Sequence, residues 1–374
     1  MSARNQPNLK IGLVSLLTAS ALLAGCAVGP DYARPASTLP EDYDQPIEAR
    51  AAAPVNPEWW MLFGDADLDA LVHQALAANQ DLQAAIARLE AAEAVAREAG
   101  AAYYPAIDLG AASSRNRTSG ETYNGQNAGS AIYNNRRAAL SLSYEIDLWG
   151  RIRRQNEAAG AEALASRFAR DSVRLTLIGQ IANEYLALRS HDAEVAVSQE
   201  TATSRQDTLR IVRARLDAGS ASALELAQAE NSLATAQSQL SQLKRLRALS
   251  ENQIALLSGQ PGLRIPVKLT PLPLPPVPPA GLPSTLLEAR PDVRQAEEKL
   301  IAANARIGVA KAAYFPAISL TGLYGSESMA LSNLFTGPAG IWSAALSLSM
   351  PIFDAGRTGA RVDQASAGQK EMLA

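Results

Sequence analysis

The sequence predicts an α+β fold that combines one long α-helical hairpin with two β-hairpins. Three observations predict it: an internal two-fold repeat, a two-residue apolar period within both repeats, and a proline-free stretch of helical period between them. Alanine supplies about a fifth of the 374 residues and aromatic residues only 5%. This composition suits closely packed helices better than wide globular cores, because alanine favours helix and allows close approach.

The repeat is visible in two matching motifs. Residues 101–109 (AAYYPAIDL) recur as residues 312–320 (AAYFPAISL), with seven of nine positions identical. A second motif runs from Ser-Leu-Ser to Gly-Arg at 141–151 and again at 347–357. Each half therefore consists of a helix, a Tyr-aromatic-Pro motif, a β-hairpin and a Gly-Arg pair.

The second and fourth strands have the period of a sheet with one apolar and one polar face. In the fourth strand Trp342, Leu346 and Leu348 lie on the apolar face and alternate with serine and alanine, and the pattern extends to Ile352. The second strand repeats it over residues 140–148. Strands of about ten residues have the length of a tilted bilayer crossing. A soluble β-meander packed on its own helices would show the same alternation.

Four such strands per chain cannot close a barrel. Strands one and three start at Ala106 and Ala317, and residues 113–135 and 326–340 are predicted loops. An open sheet edge cannot persist in hydrocarbon, so the chain must oligomerise. Two copies give eight strands with a filled interior, whereas three give twelve strands and room for a lumen. A trimer that carries a conduit is the smallest assembly that accounts for membrane strands attached to the long helices described next.

The stretch between the hairpins predicts two long antiparallel helices. Apolar residues follow a three- and four-residue rhythm from Gln155 to Asp217, which as one helix would span about 95 Å. Gly219 marks a turn at residues 217–220, and the rhythm resumes over residues 226–243. Coiled-coil oligomerisation is an alternative explanation of these stripes.

The first thirty residues have the layout of an export signal. Two basic residues precede a thirteen-residue apolar run that ends in Leu-Ala-Gly-Cys26, which resembles a bacterial lipobox. Cleavage before Cys26 would leave an N-terminal cysteine that carries S-diacylglycerol and an N-palmitoyl chain, a stable anchor. Ala27, rather than an aspartate, follows the cysteine, and the resemblance to bacterial lipoproteins then implies the outer membrane of a Gram-negative bacterium. A plain export signal with an incidental cysteine is the alternative. Trp59 and Trp60, at the end of the extended segment after the cysteine, are expected either at the membrane interface or in a core.

Composition argues against several classes of function. The balance of 34 Lys and Arg against 37 Asp and Glu offers no basic field for nucleic acid. The only histidines, His73 and His191, lie on helical patterns, and one cysteine allows no internal disulfide. We therefore expect no catalytic residues, no metal site, no cofactor and no enzyme activity.

Three segments closely resemble the NodT family of outer-membrane efflux lipoproteins, which are OprM- and TolC-like outer membrane factors. They are residues 281–293 (GLPSTLLEARPDV), the motif at 312–320, and Cys26 followed by residues 28–32 (VGPDY). The resemblance implies a homotrimer, a twelve-stranded barrel and a periplasmic helical tunnel. It also implies the exit duct of a tripartite pump, exporting drugs or other small toxic compounds through a periplasmic adaptor and an inner-membrane transporter of the resistance-nodulation-division class.

The resemblance places the tunnel tip, where adaptors dock, at the turn between the long helices. The implied tip residues are Asp217, Gly219, Ser220 and Glu225. Glu225 stands where an aspartate is expected, which puts its role in doubt. Two alternatives remain: a metal-ion exporter of the same family, which five methionines and two histidines weaken, and a lipid-anchored periplasmic coiled-coil scaffold.

The predicted organisation follows the repeat. Because only seventeen residues follow Arg357, most of a second helical hairpin is missing by symmetry, and residues 1–374 are expected not to form a sealed duct. The segments are a signal peptide (1–25), a lipid-anchored extended segment (26–65), the first helix of repeat 1 (66–104), its β-hairpin (105–149), the long helical hairpin (150–258), a proline-rich connector (259–283), the first helix of repeat 2 (284–315), its β-hairpin (316–353) and the start of a truncated second helical hairpin (354–374).

Overall fold

The computed structural model describes residues 27–35, 58–119, 121, 132–271 and 289–374, which form two compact units. The first unit draws its described residues from Met1–Ser37, Glu90–Ser166 and Gln295–Ala374, and the second from Thr38–Leu89 and Arg167–Arg294. In chain order the elements are α1 (Ala66–Ala78), α2 (Gln80–Ala101), β1 (Ala106–Arg117), β2 (Ile132–Ile146), α3 (Arg151–Asp217), α4 (Ala223–Leu257), α5 (Pro291–Ala312), β3 (Ala317–Ser328), β4 (Gly340–Ser349) and α6 (Arg357–Leu373).

The first unit contains one antiparallel sheet with the order β1-β2-β3-β4. Leu109 pairs with Leu140, and Leu320 lies between Tyr144 and Leu346. Within the described residues, β1 and β4 are each paired along one edge only. Together with the helical hairpin of the second unit, this sheet confirms the α+β class.

The strand ends differ in part from the prediction. β1 and β3 start at Ala106 and Ala317 as predicted, but β1 continues to Arg117 and β2 already begins at Ile132. The loop predicted for residues 113–135 was therefore too long, because polar residues at the end of an exposed hairpin still pair through their backbones. β4 ends at Ser349 rather than Ile352, since Pro351 has no N–H to donate to a ladder.

Residues 27–35 lie in the first unit and are held there by several contacts. The Val28 N–H donates to the Trp149 carbonyl at 3.0 Å, and the Arg154 guanidinium binds the Asp31 carboxylate at 2.5 Å. Gly29 has a φ of +112° and packs on Gly308, where an added Cβ would lie 2.5 Å from the Gly308 Cα. Cys26 lies outside the described residues.

The second unit is built on α3 and α4. The 67 residues of α3 form one helix about 100 Å long, which begins four residues before the predicted Gln155. The two helices run antiparallel, with an ion pair between Arg213 and Glu230 at 2.9 Å. The part of α3 that lies in this unit, α1 and the end of α4 enclose an apolar core that includes Trp60, Ile181, Tyr185 and Ile254. Trp60 is 1% exposed, so it is a core residue and not a membrane-interface residue.

One prediction about this region was wrong. Residues 66–104 were expected to form a single helix, but the chain breaks between α1 and α2 at Asn79. The Asn79 amide donates to the Leu257 carbonyl at 3.0 Å, and its side-chain oxygen accepts from the Leu82 N–H at 2.9 Å. Asn79 therefore ends α1, caps the start of α2 and ties both to the end of α4.

A buried charged cluster holds the segment after α4 against α3. Asp192 is 1% exposed and accepts hydrogen bonds from the Arg247 Nε at 2.6 Å and the Lys268 backbone N–H at 3.2 Å. Arg189, also buried, donates to the Thr270 carbonyl at 3.1 Å. These contacts fix residues 265–270 along the helical hairpin. Among the helices that the structure describes, none combines the length and apolar character needed to span a bilayer.

Candidate functional site

The sheet separates apolar from polar side chains between its two faces. Leu346 and Leu348, two of the residues predicted to face lipid, are 69% and 66% exposed, and the third, Trp342, is 78% exposed. The strand register places them on one face with apolar side chains from all four strands. This apolar face comprises Ile107, Leu109, Leu140, Leu142, Tyr144, Ile146, Ile318, Leu320, Tyr324, Trp342, Leu346 and Leu348.

The opposite face of the same sheet carries mainly hydroxyl-bearing and charged residues. Serines of β2, β3 and β4 lie there, with Asp108 and Glu145. Near the far end of the strands, Glu327 accepts from the Asn135 amide at 2.9 Å and lies 4.0 Å from the Arg137 guanidinium. A sheet of this kind has one side suited to hydrocarbon and one suited to water.

The turn between α3 and α4 has the geometry of a Schellman motif. Gly219 adopts a left-handed φ of +72°, which a residue without a Cβ adopts without strain. The Ser220 N–H donates to the Arg215 carbonyl at 2.8 Å, and the Gly219 N–H donates to the Leu216 carbonyl at 2.8 Å. The predicted tip residues Asp217, Gly219 and Ser220 therefore form one compact, solvent-exposed reversal of the chain.

Glu225 belongs to a capping box at the start of α4. Its carboxylate accepts from the Ser222 backbone N–H at 2.7 Å, and the Ser222 hydroxyl accepts from the Glu225 N–H at 3.2 Å. The backbone and hydroxyl hydrogen bonds from Ser222 lower the pKa of the Glu225 carboxyl. The Glu225 carboxylate thus caps the start of α4. Its role at the tunnel tip stays a prediction. The Ser-x-x-Glu spacing was a signal in the sequence that could have predicted it.

The half of the helical hairpin next to the turn has almost no cover within the chain. No side chain between residues 203 and 239 is buried in this stretch, all of which the structure describes. Apolar residues within the predicted helical rhythm, such as Leu209, Val212 and Leu233, are half-buried, whereas Ile211 and Leu224 are 54% and 67% exposed. Apolar side chains of this hairpin are thus left for a further surface to cover.

An aromatic contact at the base of the sheet was missed by the sequence analysis. Trp149 stacks on Phe315 with ring centroids 4.8 Å apart, and its indole N–H donates to the Pro316 carbonyl at 2.8 Å. The Gly-Arg motif of repeat 1 thereby contacts the Tyr-aromatic-Pro motif of repeat 2. The two motifs that define the repeat therefore meet where strands give way to helices.

The aspartate before each Gly-Arg pair begins a helix. Asp147 accepts from the N–H groups of Ile152 and Arg153 at 3.1 and 2.9 Å, at the start of α3. Asp354 accepts from the Thr358 hydroxyl and N–H at 2.6 and 2.9 Å, at the start of α6, and these hydrogen bonds lower its pKa. The recurrence of the motif thus reflects one capping arrangement used twice.

The histidines lie on helices, His73 on α1 and His191 on α3. His73 Nδ1 lies 2.9 Å from the Asp69 carbonyl oxygen, and His191 lies 3.2 Å from the Glu194 carboxylate. In the described part of the chain, no three His, Cys, Asp or Glu residues come together in a group that could hold a metal ion.

The sequence and the fold are similar to those of known proteins. The profile of the outer membrane efflux protein family matches residues 71–260 and 282–374. The chain belongs to this family. It is 35% identical to the toluene efflux pump outer membrane protein TtgC of Pseudomonas putida over 94% of the chain and 74% of TtgC. It is 32% identical to the cation efflux system protein CusC of Escherichia coli over 94% of the chain and 76% of CusC. It superposes on the CmeC outer membrane channel of Campylobacter jejuni with a TM-score of 0.83 and 26% identity, covering 93% and 75% of the two chains.

These similarities confirm the predicted family, fold class and location. The chain is an outer-membrane efflux channel protein with a helical portion and strands of a membrane barrel. The alternative, a lipid-anchored coiled-coil scaffold, was therefore wrong. The chain spans about three quarters of the length of the relatives named above.

Proposed function

We propose that three copies of this chain supply the strands of one twelve-stranded barrel and part of the helical tunnel in the exit duct of a tripartite efflux pump, and that the second helical hairpin expected from the repeat is needed to seal the tunnel. One observation carries the proposal: a four-stranded sheet with one apolar face and, among the described residues, no partner on the outer edges of β1 and β4. Such edges are satisfied in a membrane only when neighbouring copies close the sheet. Trp342, Leu346 and Leu348 then face lipid, and the hydroxyl-rich face lines the lumen.

The uncovered half of the helical hairpin supports the same assembly. In a trimer, the exposed stripes on α3 and α4 pack against neighbouring helices and form part of the wall of a periplasmic tunnel. Conduction through such a duct uses no reacting side chain, so no catalytic residue is required. Asp217, Gly219 and Ser220 form the tip that a periplasmic adaptor contacts, and the adaptor joins the duct to an inner-membrane transporter of the resistance-nodulation-division class.

The cargo that we propose is small, toxic organic compounds. The relative TtgC is named for toluene efflux, whereas CusC is named for cation efflux. Cells that lack their own efflux pumps should lose a fluorescent organic dye faster when they carry an adaptor, a transporter and this chain extended by the second helical hairpin that the repeat predicts. If they instead gain tolerance only to metal cations, the cargo assignment is wrong.

We also propose that Cys26 carries the lipid that anchors the mature chain. Cells fed labelled palmitate should label the wild-type protein but not the Cys26→Ser variant. Label retained by the variant would remove the lipoprotein assignment.

Cysteine cross-linking across the proposed subunit boundary tests the trimer. A cysteine at Ala112 on β1 is combined in turn with one at Ser343, Ala345 or Ser347 on β4, all on the hydroxyl-rich face. At least one pair should give a ladder of covalent products that ends at three chains. As a control, cysteines at Ser143 and Thr321 pair within one chain and should give monomers only. Monomers from every β1–β4 pair, or a ladder ending at another number, would contradict the proposal.

Contact with the adaptor is tested by a photo-reactive residue at the tip. A probe at Asp217 or Ser220 should form a covalent product with the adaptor, whereas a probe at the exposed Glu200, roughly 25 Å away along α3, should react less. Preferential reaction at Glu200 would place the docking surface elsewhere.

A further inference from the structure

Arginines cluster at the far end of the apolar face of the sheet. Arg115 and Arg117 lie on the same face as Leu109, because they follow it at two-residue steps along β1. Arg136 pairs across from Ser113 and lies on the same face as Leu140 on β2. These three side chains are the arginine cluster. Neighbouring members are about 7 Å apart, by the two-residue repeat along β1 and the diagonal spacing between paired strands.

Charge is segregated between the two faces of the sheet. Among the strand residues that the structure describes on the apolar face, there are three arginines and no carboxylate. The carboxylates of the strands, Asp108, Glu145 and Glu327, all lie on the opposite face. The arginine cluster therefore forms a positive patch directly beyond an apolar band.

The arginine cluster lies at the level expected for the outer edge of the apolar layer of a bilayer. From Ile146 to Arg136, β2 advances about 33 Å along the strand, which at a tilt near 40° is roughly 25 Å along a barrel axis. That distance equals the height of the apolar band of an outer-membrane barrel. Arg136 also donates to the Met329 carbonyl at 2.5 Å, which holds its guanidinium at this level.

We propose that the arginine cluster binds the phosphate groups of lipid in the outer leaflet. The inference rests on the proposed function, in which the helices lie in the periplasm. These helices join one end of the strands, so the opposite end, which carries the arginine cluster, lies at the outer surface. Guanidinium groups bind phosphate oxygens through paired hydrogen bonds, and side chains at this depth lie among lipid headgroups. With one apolar band and one positive rim per chain, a trimer carries nine arginines in contact with phosphorylated lipid.

The test compares arginines on opposite faces of the same strand. The variant Arg115→Gln/Arg117→Gln/Arg136→Gln and the control Arg137→Gln are purified in mild detergent, and lipopolysaccharide bound per trimer is quantified by native mass spectrometry. The triple variant should bind lipopolysaccharide more weakly by about five-fold for each arginine removed. Arg137→Gln should bind as the wild type does, because Arg137 lies on the opposite face beside Glu327. Equal retention by the triple variant and the control would overturn the proposal.

A second measurement uses the wild-type protein alone. Lipopolysaccharide with intact phosphates should raise its thermal unfolding temperature, whereas enzymatically dephosphorylated lipopolysaccharide and millimolar inorganic phosphate should raise it much less. An equal shift with and without lipid phosphates would overturn the proposal even if the triple variant did not fold. Equal protection by inorganic phosphate would show a general anion site and would also overturn it. A wild-type protein that does not enter bilayers or form trimers would instead refute the proposed function.

Discussion

Two adjacent alanines on β4 allow the proposed membrane face to be tested with one substitution type. Ala344 lies opposite Gly322 on the apolar face, and Ala345 lies opposite Thr321 on the hydroxyl-rich face. Both are exposed in a single chain, so neither substitution disturbs a packed core. If the apolar face contacts lipid, Ala344→Arg places a guanidinium in hydrocarbon, whereas Ala345→Arg places it in the water-filled lumen.

The expected cost follows from the depth of each position. Leu348 lies at the edge of the apolar face next to the helices. Ala344 is about 13 Å from it along the strand, or roughly 10 Å along the barrel axis, which is close to the middle of a 25 Å apolar band. An arginine there should cost about 2–4 kcal/mol per subunit. Ala345→Arg should cost little.

Urea unfolding of protein reconstituted in phosphatidylcholine vesicles measures these differences. Tryptophan fluorescence reports the transition, since Trp342 lies on the same strand and face. Trimer content before unfolding is checked by the cysteine cross-link described above. Equal destabilisation by Ala344→Arg and Ala345→Arg would refute the assignment of the lipid-facing side.

Three further predictions concern the helical unit. Asp192→Ala should lower the free energy of unfolding by about 3–5 kcal/mol, because it removes the carboxylate that pairs with the buried Arg189 and one of the two that pair with the half-buried Arg247. Chemical unfolding measures this change, and a loss below about 1 kcal/mol would contradict the role of the cluster. Ser222→Ala should cost about 0.5–2 kcal/mol by removing the cap of α4 and should speed proteolysis near the turn; unchanged cleavage would argue against it. Burial alone would raise the pKa of the Asp65 carboxyl, but hydrogen bonds from the Tyr185 hydroxyl at 2.8 Å and from backbone N–H groups lower it. A lowered pKa stabilises the fold at pH values above the ordinary value of 3.8, and this stabilisation is lost as the pH falls through the folded pKa. Tyr185→Phe should therefore lower the melting temperature at pH 7, and the melting temperatures of variant and wild type should converge in acid. A pH-independent difference in melting temperature would contradict this.

Periodic features of the sequence predicted much of the fold. The two-residue alternation located β2 and β4, with weaker strands expected from Ala106 and Ala317, and the long helical rhythm with Gly219 located the hairpin and its turn. These features are local, since each depends on side-chain spacing along one element. The apolar face could be assigned for the same reason.

Features that depend on distant contacts were not predictable in this way. The break at Asn79 depends on a carbonyl 178 positions away, and the helical pattern continues through it. The buried cluster around Asp192 depends on Arg247 and on the segment after α4. The burial of Trp60 depends on α3 and α4, so composition near the N-terminus could not decide it.

The pairing of β2 with β3 has a consequence for how the chain folds. Residues that meet across this pair, such as Asn135 and Glu327, are 192 positions apart, whereas β1–β2 and β3–β4 join neighbours in sequence. Because closing a long loop costs entropy before its contacts form, we expect the two hairpins to form early and to join late. Until they join, each hairpin has two unpaired strand edges and one exposed apolar face. The chain is most prone to aggregate during this period. The step most in need of protection on the way to the outer membrane is therefore the meeting of the two repeats.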